Sequence, residues 1–188
     1  MRGEPAERTR TLVSAFVHDA VSRWLVPDER IREEVYLAWF DVLLDHADRA
    51  GRVRATRSAV QVWLRAEDGS PPGLPAEEEP RIAELAGPHA DRFAAFGELT
   101  GARHPREPHW YLALIGVRPD LQGRGVGTAA LTASLREHDR AGSPTYLEAS
   151  SPASRALYLR LGYADAGEPI ELPGGPVLHP MWRPVGGA

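Results

Sequence analysis

The sequence predicts a mixed α/β (α+β) protein, and three observations carry that prediction. His109-Trp110-Tyr111-Leu112-Ala113-Leu114-Ile115-Gly116-Val117 is apolar on both faces, as a strand buried in the middle of a sheet must be. A glycine-rich turn, Val117-Arg118-Pro119-Asp120-Leu121-Gln122-Gly123-Arg124-Gly125-Val126-Gly127, follows it directly. Thr128 to Arg140 then carries Leu131 and Leu135 at helical spacing, with Gly142 and Pro144 as a stop signal. A further strand over 145–149 completes one β-α-β crossover, the one convincing crossover in the chain.

In chain order, Leu12, Val13, Phe16, Val17, Ala20, Val21 and Trp24 form one stripe, which predicts a single helix from Thr9 to Leu25 ended by Pro27. Asp28 is a fitting N-cap for a second helix carrying Ile31, Val35, Ala38, Trp39, Val42 and Leu43 to about Arg49, with Gly51 as its C-cap glycine. Arg52 to Thr56 and Ala59 to Arg65 read as strands joined at Arg57-Ser58. Neither face of the second is cleanly polar. Glu67 to Glu79, rich in Pro, Gly and acid, reads as a loop. Helix returns from Pro80 to about Gly97, interrupted near Gly87-Pro88. After strand 145–149 a helix runs from Ala153, and Ala164 to Arg183 reads as two short strands around Pro173-Gly174-Gly175-Pro176.

Composition narrows the function. The length fits a single domain over 1–188 with a real core. The absence of cysteine excludes disulfides, thiolate metal ligands and a cysteine nucleophile, and no metal site is expected. A net charge of −4 argues against a dedicated nucleic-acid binder. No apolar run approaches the roughly 20 residues a membrane span needs, and Met1 to Arg10 lacks a signal-peptide core. A cytoplasmic protein with no membrane partner is therefore expected. All 22 basic residues are arginine, which we ascribe to codon bias.

The glycine turn is where chemistry enters. A strand feeding such a turn at a helix start gathers free backbone N–H groups and the positive end of the helix dipole, a site for phosphate. Alternating Gly123, Gly125 and Gly127 remove the β-carbons that would hold an anion away, and Arg124 adds a cation. A nucleotide P-loop is excluded because it needs a lysine and the chain has none. The motif alone leaves a dinucleotide open: from Gly125, Ala130 fits the small-residue variant and Glu148 the ribose-binding acid. A single crossover disfavours that fold.

These residues resemble those of a known family. Gln122, Gly125 and Gly127, after Val117-x-Pro119, meet the Gln/Arg-x-x-Gly-x-Gly/Ala loop by which the GNAT superfamily of N-acetyltransferases holds the acetyl-CoA pyrophosphate. Ala156, Tyr158, Gly162 and Tyr163 meet its Ala-x-Tyr-x-x-x-Gly-Phe/Tyr helix. More loosely, 29–184 is similar to the puromycin N-acetyltransferase branch, notably at Glu107-Pro108-x-Trp110-Tyr111-Leu112-Ala113. The resemblance implies a mostly antiparallel, twisted sheet flanked by helices, with two central strands splayed apart around acetyl-CoA as cosubstrate. The family fold opens with a strand that at most eight residues here could supply, so that first strand is expected to be missing. An open edge is compatible with a covering element or a homodimer.

Carried over residue by residue, Leu114, Ile115, Gly116 and Val117 would run beside the cofactor, with a backbone N–H near Ile115 or Val117 polarising the acetyl carbonyl. Gln122, Gly123, Arg124, Gly125, Val126, Gly127 and Thr128 would hold the pyrophosphate. Tyr158 takes the general-acid position, its ordinary pKa of about 10 close to that of an alkyl thiol. It lies off the centre of a packing stripe made by Ala153, Ala156, Leu157 and Leu161. The family often opens this helix with an asparagine, whereas here Ser150-Ser151-Pro152-Ala153-Ser154 stands there; Ser151 caps the helix and Ser154 lies near the cofactor. Glu148 is the candidate base, if strand alternation turns it into the cleft. His109 comes next, read as a surface histidine, and Glu98, Trp39, Trp63 and Trp110 follow as weaker candidates for an acceptor pocket.

The leading expectation is an acetyl-CoA-dependent N-acetyltransferase acting on a small-molecule primary amine, with an antibiotic-like or aminonucleoside amine suggested by the puromycin resemblance. The alternatives are acetylation of a peptide N-terminus or amino acid, and an acyl-CoA sensor without catalysis.

Overall fold

A computed structural model describes residues 5–67, 69 and 72–187. Part of the charged N-terminal stretch (Met1 to Glu4) and three residues of the expected loop (Asp68, Ser70 and Pro71) lie outside the described residues. Helices α1 (Pro5–Phe16), α2 (Ala20–Leu25) and α3 (Glu29–Ala50) come first. The antiparallel strands β1 (Gly51–Ala55) and β2 (Ala59–Ala66) follow. Helices α4 (Glu79–Ala86) and α5 (Ala90–Arg103) flank a short 3-10 turn, and β3 (His109–Val117) then feeds α6 (Val126–Arg140). The chain closes with β4 (Thr145–Ala149), α7 (Pro152–Arg160), the two-residue strands β5 (Ala164–Asp165) and β6 (Ile170–Glu171), and β7 (Val177–Arg183).

The seven strands form a mixed sheet in the order β1-β2-β3-β4-β7-β5, with β6 also on β7. The one parallel pair among the described strands is β3 with β4, joined by α6, so the single expected crossover is what forms. β1 is an edge strand, and among the described residues no strand precedes α1.

Both faces of the sheet are covered, which explains why β2 reads as apolar throughout. Leu12, Leu25, Tyr36, Phe40, Val60, Val62 and Leu64 pack between the sheet and α1–α3. Trp63, Leu112, Leu131, Leu135, Leu147, Ala149 and Met181 pack on the opposite face, under α6 and α7. Gln61, the one polar side chain buried in β2, is satisfied there: its carbonyl accepts from Trp63 Nε1 (2.9 Å) and Ser134 Oγ (2.8 Å).

Several local expectations are corrected. The single helix over 9–25 is two helices, because Asp19 accepts from Ser22 N and caps a new start at α2. The apolar stripe runs on across the break, so periodicity hid it. Arg32 of α3 holds this corner together, donating to the carbonyls of Val26 (2.6 Å) and Pro27 (2.9 Å). Gly51 is the C-cap of α3, its N–H donating to the Ala47 carbonyl, but with a φ of −138° rather than a left-handed one, and it also opens β1. Close approach is what demands glycine there, since a β-carbon would stand 2.3 Å from the Trp63 carbonyl oxygen. The helix expected to end near Gly97 continues as α5 to Arg103, and the C-terminal segment forms three strands rather than two.

Candidate active site

The central feature is a parting of the sheet. β4 pairs with β3 only at Trp110↔Thr145 and Tyr111↔Tyr146, after which the strands separate. On its other side β3 stays paired with β2 to Val117, through a bulge that opposes Val62↔Leu114 and Trp63↔Leu112 and leaves Ala113 over. The β3 backbone groups facing β4 from Leu112 onward therefore have no strand partner among the described residues. Leu114, Ile115 and Val117 are half-buried along this parting, while Gly116 is buried against Leu12, Ala15 and Phe16 of α1.

At the end of β3 the chain makes the expected turn into a helix. Gly123 (φ 71°) and Gly125 (φ 78°) are left-handed, a conformation that costs an L side chain about 1–2 kcal/mol. Gly125 is the N-cap of α6 and supplies no side chain, so the first α6 amides meet no side-chain cap. The helix opens at Val126, two residues before the expected Thr128, and Val126, Gly127 and Thr128 form its first turn. Gly127 packs closely on Val117. Gln122 braces the loop, its Nε2 donating to the Val117 carbonyl (3.0 Å). Arg124 is exposed and forms no ion pair among the described residues. An uncapped helix start, a free cation and an unpaired strand edge fit the diphosphate and amide chain of acetyl-CoA.

Tyr158 and Glu148 stand on opposite faces of the sheet at this parting. Tyr158 is the residue that α7 buries, 8% exposed among Trp63, Leu112, Leu147, Ala149 and Tyr163. Of the stripe expected from Ala153, Ala156, Leu157 and Leu161, the two leucines are half-buried against this cluster, whereas Ala153 and Ala156 are exposed. The capping box between Ser151 and Ser154 sets the phase of α7, and phase decides which residue faces the sheet. Burial pushes the Tyr158 hydroxyl up to about 12, which keeps it protonated at neutral pH. The Ser154 hydroxyl is committed to the cap, accepting from Ser151 N (3.1 Å) and donating to Ser151 O (2.9 Å).

Thr145, Leu147 and Ala149 face α6 and α7, so Tyr146 and Glu148 face the other way. There Glu148 meets residues the sequence reading did not single out. His104, just past α5, places Nδ1 3.9 Å from Glu148 Oε1; the two side chains are only 3% and 6% exposed. Tyr111 and Tyr146 flank the carboxylate. Burial raises the Glu148 pKa to about 7, and the two tyrosine hydroxyls pull it only part of the way back. At normal hydrogen-bond distance Glu148 Oε1 and the Tyr146 hydroxyl have no partner among the described residues. Burial, then the charge of His109, lowers His104 to about 4, so His104 is neutral at pH 7.

His109 is not a surface residue. It is 3% exposed and bonded to the Glu107 carbonyl and His104, because its strand position turns it into the same cluster as Tyr111. The signal in the sequence was parity: His109 and Tyr111 alternate in β3 as Tyr146 and Glu148 do in β4. Of the weaker candidates, Trp63 is core and Trp110 lies between Arg52 and Arg65 on the far side. Glu98 is exposed on α5. Trp39 is half-buried and meets Phe93 of α5 edge to face.

No helix of the described residues is long and apolar enough to cross a membrane, and none of their His, Asp and Glu side chains cluster in a group of three fit to hold a metal ion. Among curated proteins, 74 residues are 39% identical to a mycothiol acetyltransferase from Streptomyces coelicolor, covering 36% of this chain and 24% of that protein. The match thus spans about a quarter of the relative's length. Among solved structures, the fold overlays a crystal structure described as histone acetyltransferase HPA2 and related acetyltransferase, from Corynebacterium glutamicum, with a TM-score of 0.73 and 25% identity over 98% of this chain and 93% of that one. Arylalkylamine N-acetyltransferase 2 from Aedes aegypti shares the fold alone, with a TM-score of 0.60 and 12% identity over 96% and 94% of the two chains. The model of the acetyltransferase (GNAT) family matches residues 29–163, most of the sequence. The chain belongs to the GNAT family of acetyltransferases.

Proposed function

We propose that this protein transfers an acetyl group from acetyl-CoA to the primary amine of a small molecule. One observation carries the reading: the parting of β3 from β4 lies between an uncapped glycine loop and a buried carboxylate whose pKa is near neutrality. Acetyl-CoA supplies the activated acyl group. The amides at 123–128 hold its diphosphate, with Arg124 beside them, and the free edge from Leu114 to Val117 lines up the rest. A backbone N–H near Ile115 or Val117 polarises the carbonyl. Glu148 accepts the amine proton, and Tyr158 donates to the departing sulfur from the opposite face. A base with a pKa near the working pH is half ionised and still basic enough to act.

The carboxylate is enclosed by the rings of His104, Tyr111 and Tyr146, which suits a small acceptor better than a peptide laid along an open groove. The 39% identity over 74 residues to a mycothiol acetyltransferase, together with the looser sequence resemblance to the puromycin branch, supports a small-molecule acceptor. The test is thiol release from acetyl-CoA with puromycin, an arylalkylamine, an amino sugar and an alanine-terminated peptide in parallel. Acetylation of a small-molecule amine with the highest kcat/KM is expected. Preference for the peptide would move the acceptor to protein N-termini, and tight acetyl-CoA binding without transfer to any amine would make the protein a sensor.

A further inference from the structure

β2 and β3 are antiparallel neighbours paired out to Ala66↔His109, and a two-residue turn would be enough to join them. Residues 67–108 stand there instead and carry α4 and α5. α5 is 14 residues long and buries none of them. Its half-buried positions still form one stripe, through Phe93, Phe96, Leu99 and Thr100, with Asp91, Glu98 and Arg103 on the exposed side. Phe93, Phe96 and Leu99 rest on the apolar cluster between the sheet and α1–α3. On β3 the bulge at Ala113 turns Leu114 onto that same face, where it too is half-buried. The helix is pinned at its start, where Arg92 donates to the Trp24 carbonyl and Phe93 meets Trp39 edge to face (5.2 Å). Just past its end, His104 meets the rings of Tyr111 (5.0 Å) and Tyr146 (4.8 Å) beside Glu148. At 1.5 Å per residue, Leu99 and Phe96 stand roughly 7 and 12 Å back from His104 along the helix.

We propose that the segment inserted between β2 and β3 is an acceptor wall: it selects a primary amine carried on an apolar, ring-bearing body, with Phe96 as a specificity-determining residue. This rests on the acetyltransferase reading given above and names the class of its acceptor. An apolar stripe held at both ends and buried nowhere leaves uncovered apolar surface beside it. The apolar body of a ligand covers such surface by the same effect that builds a core. The polar groups along the stripe are already spent. Arg92 is bound to Trp24, and the Thr100 hydroxyl donates to the Phe96 carbonyl (2.8 Å). The hydroxyls of an amino sugar, or the second ammonium of a polyamine, would lose water there and gain no partner. A ring lying against Phe96 and Leu99 loses nothing of that kind, and edge-to-face contact, as Trp39 already makes with Phe93, suits it. The spacing along α5 lets one small molecule hold its ring at Phe96 and Leu99 and its nitrogen near Glu148.

The wall can be tested without any transfer. Saturation-transfer NMR on the wild-type protein, with and without CoA, is run with 2-phenylethanol, which has the ring and no amine, and with glucosamine. Saturable binding of 2-phenylethanol, tighter than that of glucosamine, is expected. Phe96→Ala should weaken it about tenfold, the low end of what a lost apolar contact is worth in discrimination. Phe96→Leu, still apolar and close in volume, should lose less. Glucosamine binding as tightly as 2-phenylethanol, or equal 2-phenylethanol affinity in wild type and Phe96→Ala, would overturn the proposal. Ring binding that depends on Phe96 in a protein that acetylates no amine would uphold the wall and reject only the catalytic reading. In the transfer assay, Phe96→Ala should lower kcat/KM for 2-phenylethylamine about tenfold more than for ethylamine, chiefly through KM. Equal losses on the two amines would mean that Phe96 only packs.

Discussion

In the proposed mechanism the Glu148 carboxyl couples catalysis to stability. Its folded pKa of about 7 stands above the ordinary carboxylate value of 4.5, so the folded protein binds this proton more tightly than the unfolded chain does. The stability this contributes is fully present below pH 4.5 and is lost as pH rises through 7. The shift corresponds to about 3 kcal/mol. Glu148→Gln cannot ionise, so it should be more stable than wild type by up to about 3 kcal/mol at pH 8 and nearly equal at pH 5, as read by urea unfolding. The same variant should lower kcat/KM by ~10²–10⁴-fold and abolish the rise in rate through pH 7. A variant that is both active and pH-dependent would remove Glu148 from the mechanism. Tyr158→Phe should slow turnover at least about tenfold with little change in acetyl-CoA affinity. Equal kcat in the two proteins would leave Tyr158 as a core aromatic, a role its burial already allows.

At the level of elements, the strand–turn–helix unit from His109 to Arg140 was legible almost residue for residue. Its signals are local: a two-faced apolar run, then glycines, then a helical stripe. The left-handed Gly123 and Gly125 present the α6 amides, so the turn works only while its backbone holds that conformation. Gly125→Ala has open space for its methyl, yet it should destabilise the fold by about 1–2 kcal/mol through φ alone. It should also weaken acetyl-CoA binding by roughly tenfold or more, because a shift of 1.4 kcal/mol in presenting the amides is already a factor of ten. Calorimetric titration of the variant beside wild type measures both effects in one series with its melting curve. The break between α1 and α2 was the element least visible, since the stripe through Leu12, Phe16, Ala20 and Trp24 stays in phase across it. The one trace it left was Asp19, an acid in mid-pattern that caps a helix better than it continues one.

Across the whole molecule, the sequence carried the fold class and the glycine turn that opens α6, and lost what depends on strands meeting. Whether Glu148 faces the cleft or the other side was undecidable from β4 alone, because alternation gives two choices and pairing selects one. The register Tyr111↔Tyr146 makes that selection and gathers His104 and His109, far apart from Glu148 in sequence, around it. The same register sets where the sheet opens, and it places Tyr158 and Glu148, the proposed acid and base, on opposite faces of that opening. The central claim is that this opening and the loop beside it hold acetyl-CoA, and isothermal titration of the wild-type protein with acetyl-CoA, ATP and NAD in parallel tests it most directly. Saturable, one-to-one binding of acetyl-CoA alone is the predicted result. Failure of acetyl-CoA to bind, or binding of ATP or NAD in its place, would contradict it.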